Sequence, residues 1–236
     1  MDCSCSLGIK AYVIYGLCTT TLALFCISSW SLSTCFMVGS LGLVVTGGFL
    51  FSLNKTQTSC PGYLERDDPE LQLLCDKYTM LPVPGLVFCG SCGLVKPAGV
   101  HHCSTCRRCV HGLDHHCVYV DTCIGAGNRR IFIQTLGWAF VCCVAQISIA
   151  WAIASTSEKH EFLTITGLVL VGTTLGTLIL FVAVSALLGF QLFLLYNNDT
   201  TITYLQKRSG FDKGMKALRH VQTRQGIKNL VQGLCG

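Results

Sequence analysis

Long stretches without a charged residue constrain this chain more than any other feature of its sequence. No Asp, Glu, Lys or Arg occurs between Lys10 and Lys55, and two further uncharged stretches cover residues 131–157 and 162–198. At ~1.5 Å of rise per helical residue, the first stretch can cross a ~30 Å hydrocarbon core twice. Only 12% of the residues are charged, against about 25% in a soluble domain. We therefore expect an integral membrane protein.

The lengths of these stretches predict where the chain crosses the bilayer. We expect spans near Tyr12–Ser31 and Cys35–Leu53, and a third span within Ile131–Ser157. The stretch Phe162–Asn198 suits either one long projecting helix or a tight pair of spans. The N-terminal segment lacks the basic region and cleavage site of a removable signal peptide, so it is expected to remain as an anchor.

The distribution of Lys and Arg predicts the orientation of these spans. Of the 17 basic residues, eight lie within 55–130 and seven within 207–228, while Lys10 and Lys159 stand alone. Basic loops face the cytosol, so the central loop and both termini are expected there. An even number of spans follows, which makes the last stretch one helix and gives four spans. The host membrane is expected to be an endomembrane (Golgi or ER) or the plasma membrane.

Four segments follow from this topology. Residues 1–53 form the N-terminal tail with spans one and two, residues 54–130 a cytosolic loop, residues 131–198 spans three and four, and residues 199–236 a basic cytosolic tail. The expected fold is an all-α polytopic membrane protein with a cysteine-rich module, residues 89–123, between spans two and three.

Residues 89–123 hold seven cysteines and five histidines but few apolar side chains that could build a core. Cytosolic thiols stay reduced, so metal binding or catalysis explains them better than disulfides. Tetrahedral zinc takes four thiolate or imidazole ligands, often from Cys-x2-Cys pairs. Two ions would use eight ligands, and seven cysteines with two histidines offer nine. The string reads Cys89-x2-Cys92, His101-His102-Cys103-x2-Cys106-x2-Cys109, Asp114-His115-His116-Cys117 and Cys123.

The surplus thiol could be Cys117, whose neighbours suit a nucleophile. A thiol with the reference pKa of about 8.5 is mostly protonated near neutral pH and needs a base. Asp114 and His115 can supply one, because a carboxylate that orients an imidazole helps it to take the proton from sulfur. Spacing alone leaves a second interpretation equally open, in which Cys117 is a spare metal ligand.

The Asp-His-His-Cys run at 114–117, inside this array, resembles the DHHC family of protein S-acyltransferases, the palmitoyltransferases. The resemblance covers residues 89–123 and continues through Gly125, Asn128 and Phe132. The position of the array between spans two and three, and the four spans with cytosolic termini, also agree with that family.

This resemblance implies roles for individual residues. Cys117 would be the acylated nucleophile, His115 its general base, and Asp114 the group that orients His115. The remaining array would bind two structural zinc ions in interleaved sites. Cys89, Cys92, His102 and Cys109 would hold one ion, and Cys103, Cys106, His116 and Cys123 the other.

The resemblance also implies the reaction and the partners. A fatty acyl group, typically palmitoyl, would pass from acyl-CoA to Cys117 and then to a cysteine of a membrane-associated protein with cytosolic cysteines. The partners would be palmitoyl-CoA as acyl donor, those protein substrates and the lipid bilayer. We expect no nucleic-acid partner.

Three positions depart from the family pattern. Val118 follows Cys117 where the family has proline, Glu70 replaces the glycine of an Asp-Pro-Gly motif, and Thr203 replaces the glutamate of a Thr-Thr-x-Glu motif at 200–203. Val118 and Thr203 favour a rival hypothesis, a catalytically silent zinc-bearing membrane adaptor. A metal transporter is not favoured, because the predicted spans contain no ionisable residue.

Overall fold

The computed structural model describes residues 31–65, 87–156 and 164–209. Residues 12–30 of the predicted first span lie outside the described residues, as do Glu70, Lys159 and the basic tail beyond residue 209. The described residues fall into two compact units, one of long helices and one that contains the cysteine-rich module.

Three long helices form the first unit. They are α1 (Leu32–Thr58), α2 (Arg129–Thr156) and α3 (Ile165–Tyr196). Each is long and apolar enough to cross a membrane, since helices of this length extend for about 40–48 Å at ~1.5 Å per residue. The helices match the second to fourth predicted spans, and α3 is one continuous helix rather than a tight pair.

The helices α1 and α2 pack closely through small side chains. The Thr56 and Thr135 hydroxyls form a buried hydrogen bond of 2.9 Å. Gly48 lies against the indole ring of Trp138, where a Cβ atom would come within 2.8 Å of ring carbons. Glycine at this position therefore lets α1 and α2 approach each other, as small residues do between helices in membranes.

Large apolar side chains cover the outside of this unit. Phe36, Trp151 and Ile179 are each about three-quarters exposed, while Phe140 of α2 and Phe181 of α3 stack with ring centroids 5.3 Å apart. A helix that is apolar all round requires an apolar environment on its outer face. These surfaces suit contact with lipid.

The cysteine-rich unit consists of three antiparallel hairpins rather than helices. Strand β1 (Val87–Cys89) pairs with β2 (Leu94–Lys96), β3 (Val100–Cys103) with β4 (Arg108–His111), and β5 (His115–Cys117) with β6 (Thr122–Ile124). The expectation of an all-α chain is therefore wrong for this module. Each hairpin turn ends in a residue with positive φ, namely Gly93, Arg107 or Asp121, and such a residue interrupts a helix.

A short helix completes the second unit. Helix α4 (Thr201–Arg208) begins a few residues after α3 ends. The side chain of Ile202 packs against buried residues of the module, Val110 and Leu113 among them. Helix α4 is thereby attached to the hairpins.

Candidate active site and metal centres

The three hairpins repeat with a period of 14 residues, in sequence as well as in structure. Cys89, Cys103 and Cys117 each end the first strand of a hairpin, and each is paired across the turn with a residue five positions later. Three residues after the strand-end cysteine, the first and second hairpins have another cysteine in the turn, Cys92 and Cys106. Val120 stands at the corresponding place in the third hairpin. The sequence hides this repeat, because few positions other than the cysteines and the His-His pair recur.

The first cluster joins the turn of the first hairpin to the second hairpin. Its members are Cys89, Cys92, His102 and Cys109, whose ligand atoms all lie within 4.8 Å of one another. The Nδ1 atom of His102 lies 3.5, 3.2 and 3.9 Å from the sulfur atoms of Cys89, Cys92 and Cys109 respectively.

The second cluster repeats this arrangement one hairpin further along. Its members are Cys103, Cys106, His116 and Cys123, again with all ligand atoms within 4.8 Å. The Cys106 sulfur lies 3.4 Å from His116 Nδ1 and 3.3 Å from the Cys123 sulfur, and the last two atoms are 3.8 Å apart.

These separations fit four ligands around one metal ion. With Zn–S bonds of ~2.3 Å and Zn–N bonds of ~2.0 Å, the edges of a tetrahedral ligand set measure about 3.5–3.8 Å. Three thiols and one imidazole are also the donor set of a closed structural site. Both clusters could therefore hold metal ions, and they interleave because each takes two ligands from one hairpin and two from the next.

Tyr63 lies beside the second cluster and was not singled out from the sequence. Its hydroxyl hydrogen bonds with Cys106 and Thr122, and burial, together with the hydrogen bond to Cys106, raises its pKa. The Tyr63 ring also stacks under the Arg108 guanidinium, with 4.1 Å between the Arg108 Cζ atom and the ring centroid. Tyr63 is thus an outer neighbour of the kind that orients metal ligands.

The Asn128 side chain hydrogen bonds with the backbone at the end of the third hairpin. It is completely buried, its Oδ1 accepts a hydrogen bond from the Gly125 N–H (3.0 Å), and its Nδ2 donates to the Cys123 carbonyl (2.9 Å). Asn128 therefore holds the backbone of Cys123, a member of the second cluster.

Cys117 belongs to neither cluster. It is buried, at 6% exposure, and its side chain hydrogen bonds with that of His115. Metal-site geometry thus leaves this thiol outside the two four-ligand sets and beside an imidazole.

Asp114 and His115 form a pair that reaches this thiol. The Nδ1 atom of His115 lies 2.8 Å from Asp114 Oδ2, and the Asp114 side chain has no exposed surface. Burial by itself lowers the pKa of His115, but the hydrogen bonds and negative charges of Asp114 and Cys117 raise it to about 9. The three side chains therefore form a continuous Asp–His–Cys chain.

A fourth residue, Thr201, holds the carboxylate of this chain. The Thr201 N–H donates to Asp114 Oδ1 (2.7 Å), and the Thr201 hydroxyl donates to Asp114 Oδ2 (2.9 Å). Family resemblance implies that the motif containing Thr201 packs near the active site, but the sequence gives this residue no specific partner. A separation of 87 residues hides such a contact from any local pattern.

The chain thus combines three helices suited to a membrane, two Cys3His clusters that could hold metal ions, and an Asp–His–Cys arrangement. Together these features define a membrane protein with a cysteine-centred site beside two candidate metal centres. The family model of the DHHC palmitoyltransferase matches residues 84–208, which is more than half of the chain. The chain belongs to the DHHC palmitoyltransferase family.

Individual relatives agree with this assignment. Palmitoyltransferase PFA3 of Debaryomyces hansenii is 32% identical over 150 residues, which are 60% of this chain and 36% of that protein. Palmitoyltransferase ZDHHC15 of Homo sapiens is 42% identical over 86 residues, 34% of this chain and 26% of that protein. Palmitoyltransferase ZDHHC7 of Mus musculus is 28% identical over 160 residues, covering 64% of this chain and 51% of that protein. The chain thus spans between a quarter and a half of these relatives.

Proposed function

We propose that this protein is a protein S-acyltransferase that moves a fatty acyl group, typically palmitoyl, from acyl-CoA to cysteines of membrane-associated proteins. The observation that carries the proposal is the buried Cys117 thiol beside an imidazole that is itself hydrogen-bonded to a buried carboxylate. Membership of the DHHC palmitoyltransferase family supports the choice of an acyl group over other transferred groups.

The reaction has two displacements at the same sulfur atom. Asp114 accepts a hydrogen bond from His115 at Nδ1, so the other ring nitrogen is available to take the proton of the Cys117 thiol. The thiolate attacks the thioester carbonyl, the bond to the coenzyme A sulfur breaks, and His115 returns the proton to that sulfur. A substrate cysteine, deprotonated by His115, then attacks the acyl-Cys117 thioester, and the Cys117 sulfur leaves with the proton.

The acyl chain explains why such a site belongs in a membrane protein. A palmitoyl chain has about 15 methylenes, so moving it into water would cost on the order of 12 kcal/mol at ~0.8 kcal/mol for each methylene. The apolar helices offer surroundings in which the chain stays out of water. The coenzyme A part, which carries charged phosphates, remains in the cytosol.

We assign zinc to both clusters, with a structural role. Three thiolates and an imidazole suit zinc, and all four coordination positions of each ion would be filled by protein ligands. Bound zinc would supply folding energy to a module with a small apolar core. His116 would then be a ligand directly beside Cys117, so the second site would fix the backbone that carries the nucleophile.

Incubation of the purified, zinc-loaded protein in detergent with labelled palmitoyl-CoA tests the proposal. The wild type is expected to take up a label that hydroxylamine removes, because a thioester is sensitive to hydroxylamine and an amide is not. Cys117→Ser is expected to take up none. Cys60→Ser is the matched control, since Cys60 is an exposed free thiol in the same unit, and it should label like the wild type.

The rival hypothesis makes the opposite prediction in the same assay. A silent zinc-bearing adaptor would bind its metal, remain folded and take up no label. Equal labelling of the wild type and Cys117→Ser would move the acylation to another cysteine and overturn the assigned nucleophile.

We further propose four spans with both termini in the cytosol, so that the turn between spans one and two and the short segment around Lys159 face the other side, with Lys159 the one basic residue there. The three long helices account for spans two to four of this arrangement, and residues 54–130 and 199–236 would be its cytosolic parts. Asn54 and Asn198 head glycosylation sequons and should stay unmodified in microsomes. A sequon inserted next to Lys159 in an extended linker should be glycosylated, and glycan at Asn54 or Asn198 would refute this topology.

A further inference from the structure

The helix that carries Thr201 is short for the task it performs. Helix α4 has eight residues, whereas isolated helices shorter than ~12–15 residues are marginal in water. It also lacks an acidic residue in its first turn, because Thr203 stands in place of the glutamate of the family's Thr-Thr-x-Glu motif. Its first turn nevertheless supplies both hydrogen bonds to Asp114.

A reciprocal capping box fixes the start of α4. The Thr200 hydroxyl accepts a hydrogen bond from the Thr203 N–H (3.2 Å), and the Thr203 hydroxyl accepts one from the Thr200 N–H (2.7 Å). Glutamate or glutamine usually takes the second part of such a box. Thr203 therefore makes the capping contact that a glutamate at this position of the box would make, but it carries no negative charge.

Asp199 supplies a negative charge one residue before this cap. Its carboxylate is buried, at 8% exposure for the residue, and the Lys207 Nζ atom donates to both carboxylate oxygens at 2.6 and 2.8 Å. The Thr203 hydroxyl lies 3.4 Å from the same carboxylate. The ion pair thus joins the residue before the cap to the last turn of α4.

Two carboxylates meet at this helix N-terminus, and the ion pair separates their roles. A helix N-terminus carries a partial positive charge and free N–H groups that stabilise an anion. Asp114 uses the Thr201 N–H directly, while Asp199 is neutralised by Lys207. Without Lys207, the buried carboxylate of Asp199 would lose its ion-pair partner next to the first turn of α4.

We propose that Asp199 and Lys207 are positioning residues for the acyl transfer, and that together with Thr203 they replace the missing motif glutamate. They hold the first turn of α4 so that Thr201 keeps Asp114, and through it His115, aligned with Cys117. This inference rests on the proposed acyltransferase function. It explains why the departure at Thr203 is compatible with an active enzyme.

The test measures the first-order rate of Cys117 acylation against palmitoyl-CoA concentration for the full-length protein in detergent. Lys207→Met is expected to lower the saturated rate about tenfold, since small misplacements of catalytic groups cost up to ~10² in rate. The half-saturating donor concentration and the zinc content should stay at the wild-type values. Asp199→Asn and Asp199→Asn/Lys207→Met should each lower the saturated rate about as much as Lys207→Met, because all three variants break the same ion pair.

Arg208→Met is the matched control. Arg208 is an exposed cation next to Lys207 on the same helix, and it takes part in no ion pair in the part of the chain that the structure describes. It should acylate at the wild-type rate. If Lys207→Met loses zinc, two variants of Thr203 decide instead. Thr203→Val breaks the cap and should slow acylation. Thr203→Glu keeps the cap and should acylate at the wild-type rate.

Several outcomes would overturn the inference while leaving the acyltransferase proposal in place. Lys207→Met at the wild-type rate is one, and a double variant as slow as the product of the single effects is another. A raised half-saturating concentration at an unchanged saturated rate would assign Lys207 to donor binding instead. Absence of acylation in the zinc-loaded wild type would refute the proposed function itself.

Discussion

The second and third hairpins share a His-His-Cys run and a later cysteine, and the positions at which they differ separate a hairpin of candidate metal ligands from a candidate catalytic one. His101, His102 and Cys103 of the second hairpin recur 14 residues later as His115, His116 and Cys117. In the second hairpin, Cys103 joins Cys106 in a metal cluster. In the third, Val120 stands in place of Cys106, and Cys117 is left outside both clusters.

The residue before each His-His pair differs too. Val100 precedes the second hairpin's pair and Asp114 precedes the third's. Burial and the nearby charge of Lys96 lower the pKa of His101, whereas at His115 the effect of burial is outweighed by Asp114 and Cys117 together, and the pKa is raised. The third hairpin thus supplies two candidate ligands where the second supplies four, and it carries a buried carboxylate that the second lacks, which makes it the candidate active site.

Replacement of Asp114 by valine, the residue of the second hairpin, should have the largest effect. His115 would lose the partner that orients its ring, and the analogous change in Ser-His-Asp enzymes costs about 10⁴ in rate. We expect Cys117 acylation in Asp114→Val to fall by about 10³ or more, with two zinc ions still bound.

Asp121→Asn is the control for this variant. Asp121 is an exposed turn residue with a φ of 51°, a conformation that asparagine tolerates. A labelled Asp114→Val protein with near wild-type kinetics would show that the carboxylate does not distinguish the two hairpins.

The two histidine ligands should differ in a similar way. His116→Ala is expected to reduce acylation by at least about 100-fold and His102→Ala by at least about tenfold, because removal of a ligand should cost no less than the ~10–100-fold cost of removing an outer partner of a ligand. The reason is that His116 neighbours Cys117 in β5, while His102 lies in the second hairpin. Zinc content by elemental analysis should fall in both variants. Equal losses of acylation would contradict the expected difference between His116 and His102.

Val120→Cys should give the third hairpin the Cys-x2-Cys pair that it lacks. With the thiols kept reduced, added zinc is expected to slow Cys117 acylation at least ~10-fold, because a metal-bound thiolate is a poorer nucleophile. A chelator should reverse this effect. Val118→Cys, in the same turn but outside the repeat position, is the control. Zinc-independent kinetics in Val120→Cys would contradict the proposed relation between the hairpins.

Tyr63→Phe should have the smallest effect, and only on the second cluster. The variant loses the hydroxyl that contacts Cys106, so zinc affinity is expected to fall about tenfold while saturated acylation changes little. Competition with a chelator measures this loss for one of the two ions. Tyr196→Phe, at a residue 85% exposed, should release both ions like the wild type.

The sequence by itself predicted the elements whose signal is local. Uncharged stretches predicted the helices α1, α2 and α3, because a bilayer requires continuous apolar helices. Cysteine and histidine spacing placed the metal-binding module. The division of the ligands between Cys89–Cys92–His102–Cys109 and the second set was implied by family resemblance, and the structure brings the same eight residues into two groups.

Only the tertiary structure revealed the hairpins, the contact between Thr201 and Asp114, and the ion pair of Asp199 with Lys207. Cysteine side chains take many of the buried positions of the module, so the strands leave little of the alternating apolar pattern by which strands are recognised. The contact with Thr201 joins residues 87 positions apart, and no local periodicity encodes such a distance. Resemblance to the family motif pointed to a missing glutamate at position 203, whereas folding brought an acid, a lysine and a hydroxyl together around the same helix.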